Sequence, residues 1–123
     1  MSDFRVHRVR FFQYTPQAIQ VIAFDDSEKK LAVGRADNSI EIWNCKENIF
    51  HHEKTIHGDS GRSVESLAWL RGRLFSAGLH GDLTEYDLSR LRPKTTSLAS
   101  GGAIWCMQLN CAKDCLAVLI SSL

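Results

Sequence analysis

The sequence predicts an all-β chain built from a repeated four-stranded unit, and three observations carry that prediction. First, Leu31 to Asn44, LAVGRADNSIEIWN, returns forty-three residues later without a gap as Leu74 to Asp87, LFSAGLHGDLTEYD. Second, each copy is a short apolar run, a polar turn at Asp37-Asn38 or His80-Gly81, and a run that closes on an aromatic followed by Asn or Asp. Asn and Gly accept the positive φ of a tight turn, and β-branched and aromatic residues suit the flanking strands, so each copy reads as a β-hairpin. Third, an apolar segment precedes each hairpin: Ile19 to Phe24 (IQVIAF), Val64 to Trp69 (VESLAW) and, once more, Ile104 to Leu109 (IWCMQL). Leu116 to Val118 then matches Leu31 to Val33 residue for residue, which makes Leu31, Leu74 and Leu116 equivalent.

Length and composition narrow the possibilities. The 123 residues are 44% hydrophobic, enough for a core of ordinary size. Fifteen Lys and Arg stand against fourteen Asp and Glu, so any contact with nucleic acid or an anionic membrane has to be local. The opening MSDFRVHRVRFF carries charge where a secretory signal needs an apolar stretch, and Cys115 to Ile120 is far too short to span a bilayer. The expectation is an intracellular protein without membrane contact, with Cys45, Cys106, Cys111 and Cys115 reduced.

The elements follow in order. Residues 4 to 12, FRVHRVRFF, change the parity of their alternation between Val6 and Val9, which reads as an extended strand with a bulge. Arg5, Arg8 and Arg10 on it are candidates for contacting RNA or a protein partner, although arginines on the wet face of an edge strand are the commoner case. Ile19 to Phe24 is apolar enough for a central strand covered on both faces. After the charged turn DDSEKK come the strands Leu31 to Gly34 and Ile40 to Trp43, the latter with Ile40 and Ile42 on one face and Glu41 and Trp43 on the other. Residues 44 to 63 are polar and place His51, His52 and His57 in a solvated loop, with a fourth strand near Phe50 to Ile56. In the second unit Leu88 to Pro93 is expected to turn once as helix, and TTSLASGG to form a flexible connector. At Leu119 the pattern stops: Leu stands where the first copy has Gly34, no turn follows, and the chain closes ISSL. The division is therefore 1–18, an opening strand; 19–62 and 63–102, two full repeats; 103–118, the start of a third; and 119–123, a divergent tail.

A period near 43 residues with four short strands per unit is the signature of a β-propeller blade, and these units resemble WD repeats. Trp43-Asn44 and Tyr86-Asp87 stand where that family has its Trp-Asp pair, and His57-Gly58 stands where a Gly-His pair is usual, in reversed order. The family's internal network joins a His before the first strand, a Ser or Thr of the second, an Asp of the following turn and the Trp of the third. Asp37 and Trp43 match it in the first repeat, whereas His80 and Tyr86 replace those residues in the second, so packing rather than that network is expected to hold the blades. With FRVHRVRFF, LAVGRADNSIEIWN, LFSAGLHGDLTEYDL and GGAIWCM taken together, the chain is similar to the start of the cirhin-like WD-repeat proteins of the small-subunit processome. The resemblance implies a propeller fragment of about two and a half blades whose opening strand closes the ring. It also implies a non-catalytic nucleolar scaffold with other processome proteins and pre-ribosomal RNA, or its ribonucleoprotein, as partners. No cofactor and no small-molecule substrate is implied. The apolar tail in place of a third hairpin reads as a truncated or alternatively spliced product of a longer gene.

Other chemistries are weaker. Cys106, Cys111 and Cys115 with a histidine could hold zinc, but their spacings of five and four residues miss the usual ligand hairpin for the first pair. A Cys or Ser nucleophile with His57 or His80 and Asp59 or Asp82 has no strained elbow to activate it, and no phosphate-binding glycine motif occurs. Trp43, Trp69 and Trp105 occupy repeat positions suited to a core rather than a base-stacking platform. The alternatives to a processome scaffold are an adaptor of another pathway, such as ubiquitin-ligase substrate recruitment or chromatin reading, and a small zinc-dependent enzyme.

Overall fold

A computed structural model describes residues 17–98, 104–109 and 116–120. The expected opening strand with Arg5, Arg8 and Arg10 lies outside the described residues, as do Cys111 and Cys115. Two antiparallel sheets of four strands each follow one another along the chain. The first runs in the order β1 (Ile19–Asp25), β2 (Lys30–Arg35), β3 (Ile40–Asn44), β4 (His51–Ile56), with a short 3-10 turn at Lys46–Asn48. The second repeats it as β5 (Ser66–Leu70), β6 (Arg73–Ala77), β7 (Asp82–Asp87), β8 (Arg92–Leu98). A two-stranded sheet of β9 (Ile104–Leu109) and β10 (Leu116–Ile120) follows, and β10 runs past Val118 to pair Leu119 with Cys106 and Ile120 with Ile104.

The register is the same in all three units. Phe24 faces Leu31, Trp69 faces Leu74, and Leu109 faces Leu116, so the leucine repeat marks the start of each second strand. Local chemistry sets the turns. Asn38 and Gly81 take φ values of 68° and 78°, the left-handed region that these two residue types tolerate. The Asp37 carboxylate accepts from the Ser39 amide at 3.0 Å and the Ser39 hydroxyl at 2.6 Å, closing the first turn from within. The residue after each aromatic closes the next turn in the same manner: Asn44 accepts from the Lys46 amide at 2.9 Å, and Asp87 from the Ser89 amide at 3.0 Å and the Ser89 hydroxyl at 2.7 Å.

Four expectations are corrected. The segment TTSLASGG is not wholly a connector, because Thr95, Thr96 and Ser97 belong to β8 and pair with Glu85, Thr84 and Leu83. An edge strand of this kind is exposed on most of its surface and needs no apolar alternation, and Pro93 is tolerated there beside a bulge. The turn before it is closed by one bond, from the Leu91 amide to the Asp87 carbonyl at 2.8 Å, and ends at Leu91 with a φ of 58° rather than at Pro93. His51 and His52 lie on β4, the fourth strand expected near Phe50 to Ile56, rather than in a solvated loop, and His52 packs edge-on against Trp43 with ring centres 5.3 Å apart. Finally, β1 is an edge strand with one face open, not a central strand covered on both faces.

The main core lies between the two sheets. The first contributes Ala32, Ile40, Ile42 and Ile56; Leu67, Trp69, Leu74 and Tyr86 come from the second, with Val64 just before it. A smaller core joins the second sheet to β9 through Ala68, Ala77, Ile104 and Met107. The segment between β4 and β5 fastens both hairpin turns. Asn38 donates its side-chain amide to the Asp59 carbonyl at 3.2 Å, and the Leu79 amide donates to the Ser63 hydroxyl at 2.7 Å. Gly58 lies so close to the Asp37 carbonyl oxygen that an added Cβ would collide with backbone. Gly58→Ala is therefore expected to destabilise the chain by about 1–3 kcal/mol, the usual cost of overpacking, seen as a lower midpoint in chemical denaturation.

Candidate interaction surface

Repeat equivalence singles out an exposed apolar strip along β1 as the candidate interaction surface. Phe24 and Trp69 occupy the same register position, and so do Ile22 and Leu67, opposite Val33 and Ser76. In the second sheet these positions are covered by the first sheet: Leu67 is 6% exposed and Trp69 5%. In the first sheet the same positions are bare, with Ile22 59% exposed and Phe24 50%, and Ile19 58% beside them. The exposure is confined to β1, since Val33 and Glu41, beside Ile22 on the same face, are 4% and 7% exposed. An apolar strip of this kind is costly to leave in water, and in the second blade the equivalent positions meet another four-stranded sheet.

The covered seam shows how such a flank is recognised. Trp69 buries its ring against the first sheet and donates its indole N–H to the Ala23 carbonyl of β1 at 3.0 Å. Gly34 keeps the seam tight, because a Cβ there would press on Val21 and Val64. An amphipathic indole suits this role, since its polar atom finds a partner while its body fills the core.

The residues singled out from the sequence are placed as follows. The single indole N–H of Trp43 donates to Glu41 at 3.1 Å rather than to Asp37, and Glu41 accepts from Arg35 at 2.9 Å with both charged side chains about nine-tenths buried. The Ser39 hydroxyl is the main reason that Asp37 titrates below the ordinary carboxylate range. In the second sheet Tyr86 and Ser76 share a buried hydrogen bond of 2.6 Å, and Arg62 stacks over the Tyr86 ring at 5.6 Å. Burial pushes the Tyr86 phenol up, with the Ser76 bond and Arg62 acting the other way. His80, at the turn position where the family has Asp, is exposed, as are His57 and Gly58; the His57 carbonyl accepts from Arg62 at 3.4 Å. The Ser76–Tyr86 pair is a feature that sequence reasoning missed, although the repeat alignment placed Ser76 opposite Val33 and so on the second strand. Arg73 grips Glu85 through two bonds of 2.8 Å, which holds the Glu85 carboxyl below its usual range. Burial raises the Cys45 thiol, which disfavours the reactive thiolate.

No family model matches the chain. Curated proteins do. It is 48% identical over 108 residues to the U3 small nucleolar RNA-associated protein 4 homolog of Mus musculus, an alignment covering 87% of this chain and 16% of that protein. It is 38% identical over 127 aligned residues to U3 small nucleolar RNA-associated protein 4 of Saccharomyces cerevisiae, covering 92% of this chain and 16% of the relative. The chain is homologous to these U3 small nucleolar RNA-associated proteins. It spans about 16% of the length of those two relatives. Among solved structures, the β-propeller domain of Cps50 (Swd1) from Myceliophteria thermophila superposes with a TM-score of 0.66 at 19% identity, over 88% of this chain and 34% of that one. The WD40 repeats of RRP9 superpose with a TM-score of 0.59 at 22% identity, over 72% and 27%. The two four-stranded sheets thus have the fold of WD40 blades, with β1 and β5 as their first edge strands. The U3 small nucleolar RNA-associated relatives and this chain share the segment that carries the bare apolar face.

Two outcomes are expected. Replacing Ile22 and Phe24 together by Glu reduces concentration-dependent light scattering of the chain while leaving the seam at Trp69 folded; unchanged scattering would show that this face does not drive association. Tyr86→Phe leaves the Ser76 hydroxyl buried and unpartnered, at a cost of about 1–3 kcal/mol. Adding Ser76→Ala recovers part of that loss in a double-mutant cycle.

Proposed function

We propose that this chain is a segment of a non-catalytic WD-repeat scaffold of the small-subunit processome. In that role it supports pre-ribosomal RNA transcription and processing, and small ribosomal subunit biogenesis, in the nucleolus. The observation that carries the proposal is homology across nearly the whole chain to proteins named for their association with U3 small nucleolar RNA. The exposed apolar strip Ile19, Ile22 and Phe24 on β1 supports a role in assembly, since the equivalent positions of the second blade are covered by a neighbouring blade. Its partners are other processome proteins and pre-ribosomal RNA or its ribonucleoprotein, met through blade edges and loops. On this proposal residues 19–62 and 63–102 are the two full repeats and 103–118 opens a third, while Arg5, Arg8 and Arg10 are candidate contacts.

A tagged chain expressed in cells and sedimented through a gradient is expected to travel with large particles containing U3 small nucleolar RNA and pre-ribosomal RNA, both read by quantitative reverse transcription. Confinement to light fractions, or recovery with ligase subunits or histones instead, would overturn the proposal.

A further inference from the structure

The second blade ends in a surface whose charge the scaffold role leaves unused. In an antiparallel four-stranded sheet the first and third turns lie at the same end. In this blade they are the turn between β5 and β6, with Arg71, and the turn between β7 and β8, with Arg90. Arg73 opens β6, and Arg92 pairs opposite Asp87 at the start of β8, two residues before Lys94. All five cations are exposed. Two of them, Arg73 and Lys94, line a cavity of about 260 Å³ together with Gly72, Glu85, Tyr86, Asp87 and Leu88. Lys54 reaches the same turn from the first blade, donating to the Leu88 carbonyl at 2.9 Å.

Two carboxylates offset part of this set. Glu85 is held by Arg73, and Asp87 lies 3.9 Å from the Arg90 guanidinium while accepting from Ser89 and from the Arg90 amide at 3.2 Å, so the net positive charge rests on Arg71, Arg92 and Lys94. The matching end of the first blade is different: its turns carry Asp25, Asp26, Glu28 and Glu47 beside Lys29, Lys30 and Lys46. Of the two four-stranded blades, the positive end therefore belongs to the second, within a chain close to neutrality overall.

We infer that this end of the second blade binds the phosphate backbone of RNA. Large exposed apolar side chains occur elsewhere among the described residues, at Ile19, Ile22, Phe24, Ile49, Phe50 and Leu79, and none lies at this end. A peptide partner generally requires an apolar or aromatic anchor, whereas a polyanion needs only closely spaced cations and hydrogen-bond donors. The hydroxyls of Thr95, Thr96 and Ser97 continue along the exposed β8 edge and supply such donors. Tyr86, the aromatic side chain lining the cavity, is buried, so the binding inferred is through the backbone and independent of base sequence. The choice of RNA over another polyanion rests on the function proposed above.

The test titrates a polyuridine oligonucleotide into fluorescently labelled chain held at nanomolar concentration, at several salt concentrations. The variant combines Arg71→Asn, which suits the φ of 51° at that position, with Arg92→Gln and Lys94→Gln; all three lie outside the seam between blades. Expected are a loss of affinity of about tenfold or more and a fall in the salt slope by about 2, near 0.7 for each phosphate that is no longer neutralised. Circular dichroism of the variant should match that of the parent. Equal affinity and slope for parent and variant, or preference for a polyglutamate peptide over the RNA, would overturn the inference. Sedimentation of both chains separates this from the broader proposal. A variant that weakens RNA binding while the parent stays out of U3-containing particles would sink the scaffold reading alone.

Discussion

The structure depends on one constraint: a four-stranded sheet has two faces, and both must be covered. Between the two blades that requirement is met by a seam of aliphatic side chains into which Trp69 is set, with its indole hydrogen-bonded across to Ala23. Ile40, Ile42 and Ile56 of one sheet and Leu67 and Leu74 of the other lie in this one shared cluster, each less than a tenth exposed. The first strands β1, β5 and β9 carry this stacking, and the hairpin turns and linking segment hold each blade at the angle the seam needs. Stability in such an array is a sum of units and interfaces, so the open flank of β1 matters as much as any contact that is made.

The two full blades close themselves by different chemistry on the same frame. In the first, Trp43 is tied to Glu41, whose charge is neutralised by Arg35; in the second, Tyr86 is tied to Ser76 under Arg62. Both arrangements pin the third strand, and in both the next residue, Asn44 or Asp87, closes the following turn. The repeat thus preserves what each position must accomplish and lets the residue vary. A buried ion pair offsets its desolvation penalty only when geometry is good, and the 2.9 Å Arg35–Glu41 contact meets that condition.

Much of this was legible in the sequence, for identifiable reasons. Turn positions were readable because Asn38 and Gly81 are residue types that tolerate positive φ, and the hairpin strands because their apolar residues recur at fixed register. The edge strand β8 was hidden, since Thr95, Thr96 and Ser97 face water and carry no alternation to detect. The bare flank of β1 was misjudged because an apolar run reports what a strand is suited to, not what stands beside it. The cationic end of the second blade was not singled out at all, because the convergence of Arg71, Arg73, Arg90, Arg92 and Lys94 required the sheet order. The partnership of Ser76 with Tyr86 needed the same knowledge, for the two are ten residues apart and meet only across paired strands.

The indole of Trp69 also gives the molecule an optical signature. Its ring is almost fully screened from water, and its N–H is bound to the carbonyl of a neighbouring blade rather than to its own. Any event that parts the blades strips away that bond and wets the ring at the same moment, before either sheet has unravelled. Emission from this one residue therefore reports the joint between blades separately from the integrity of the blades themselves.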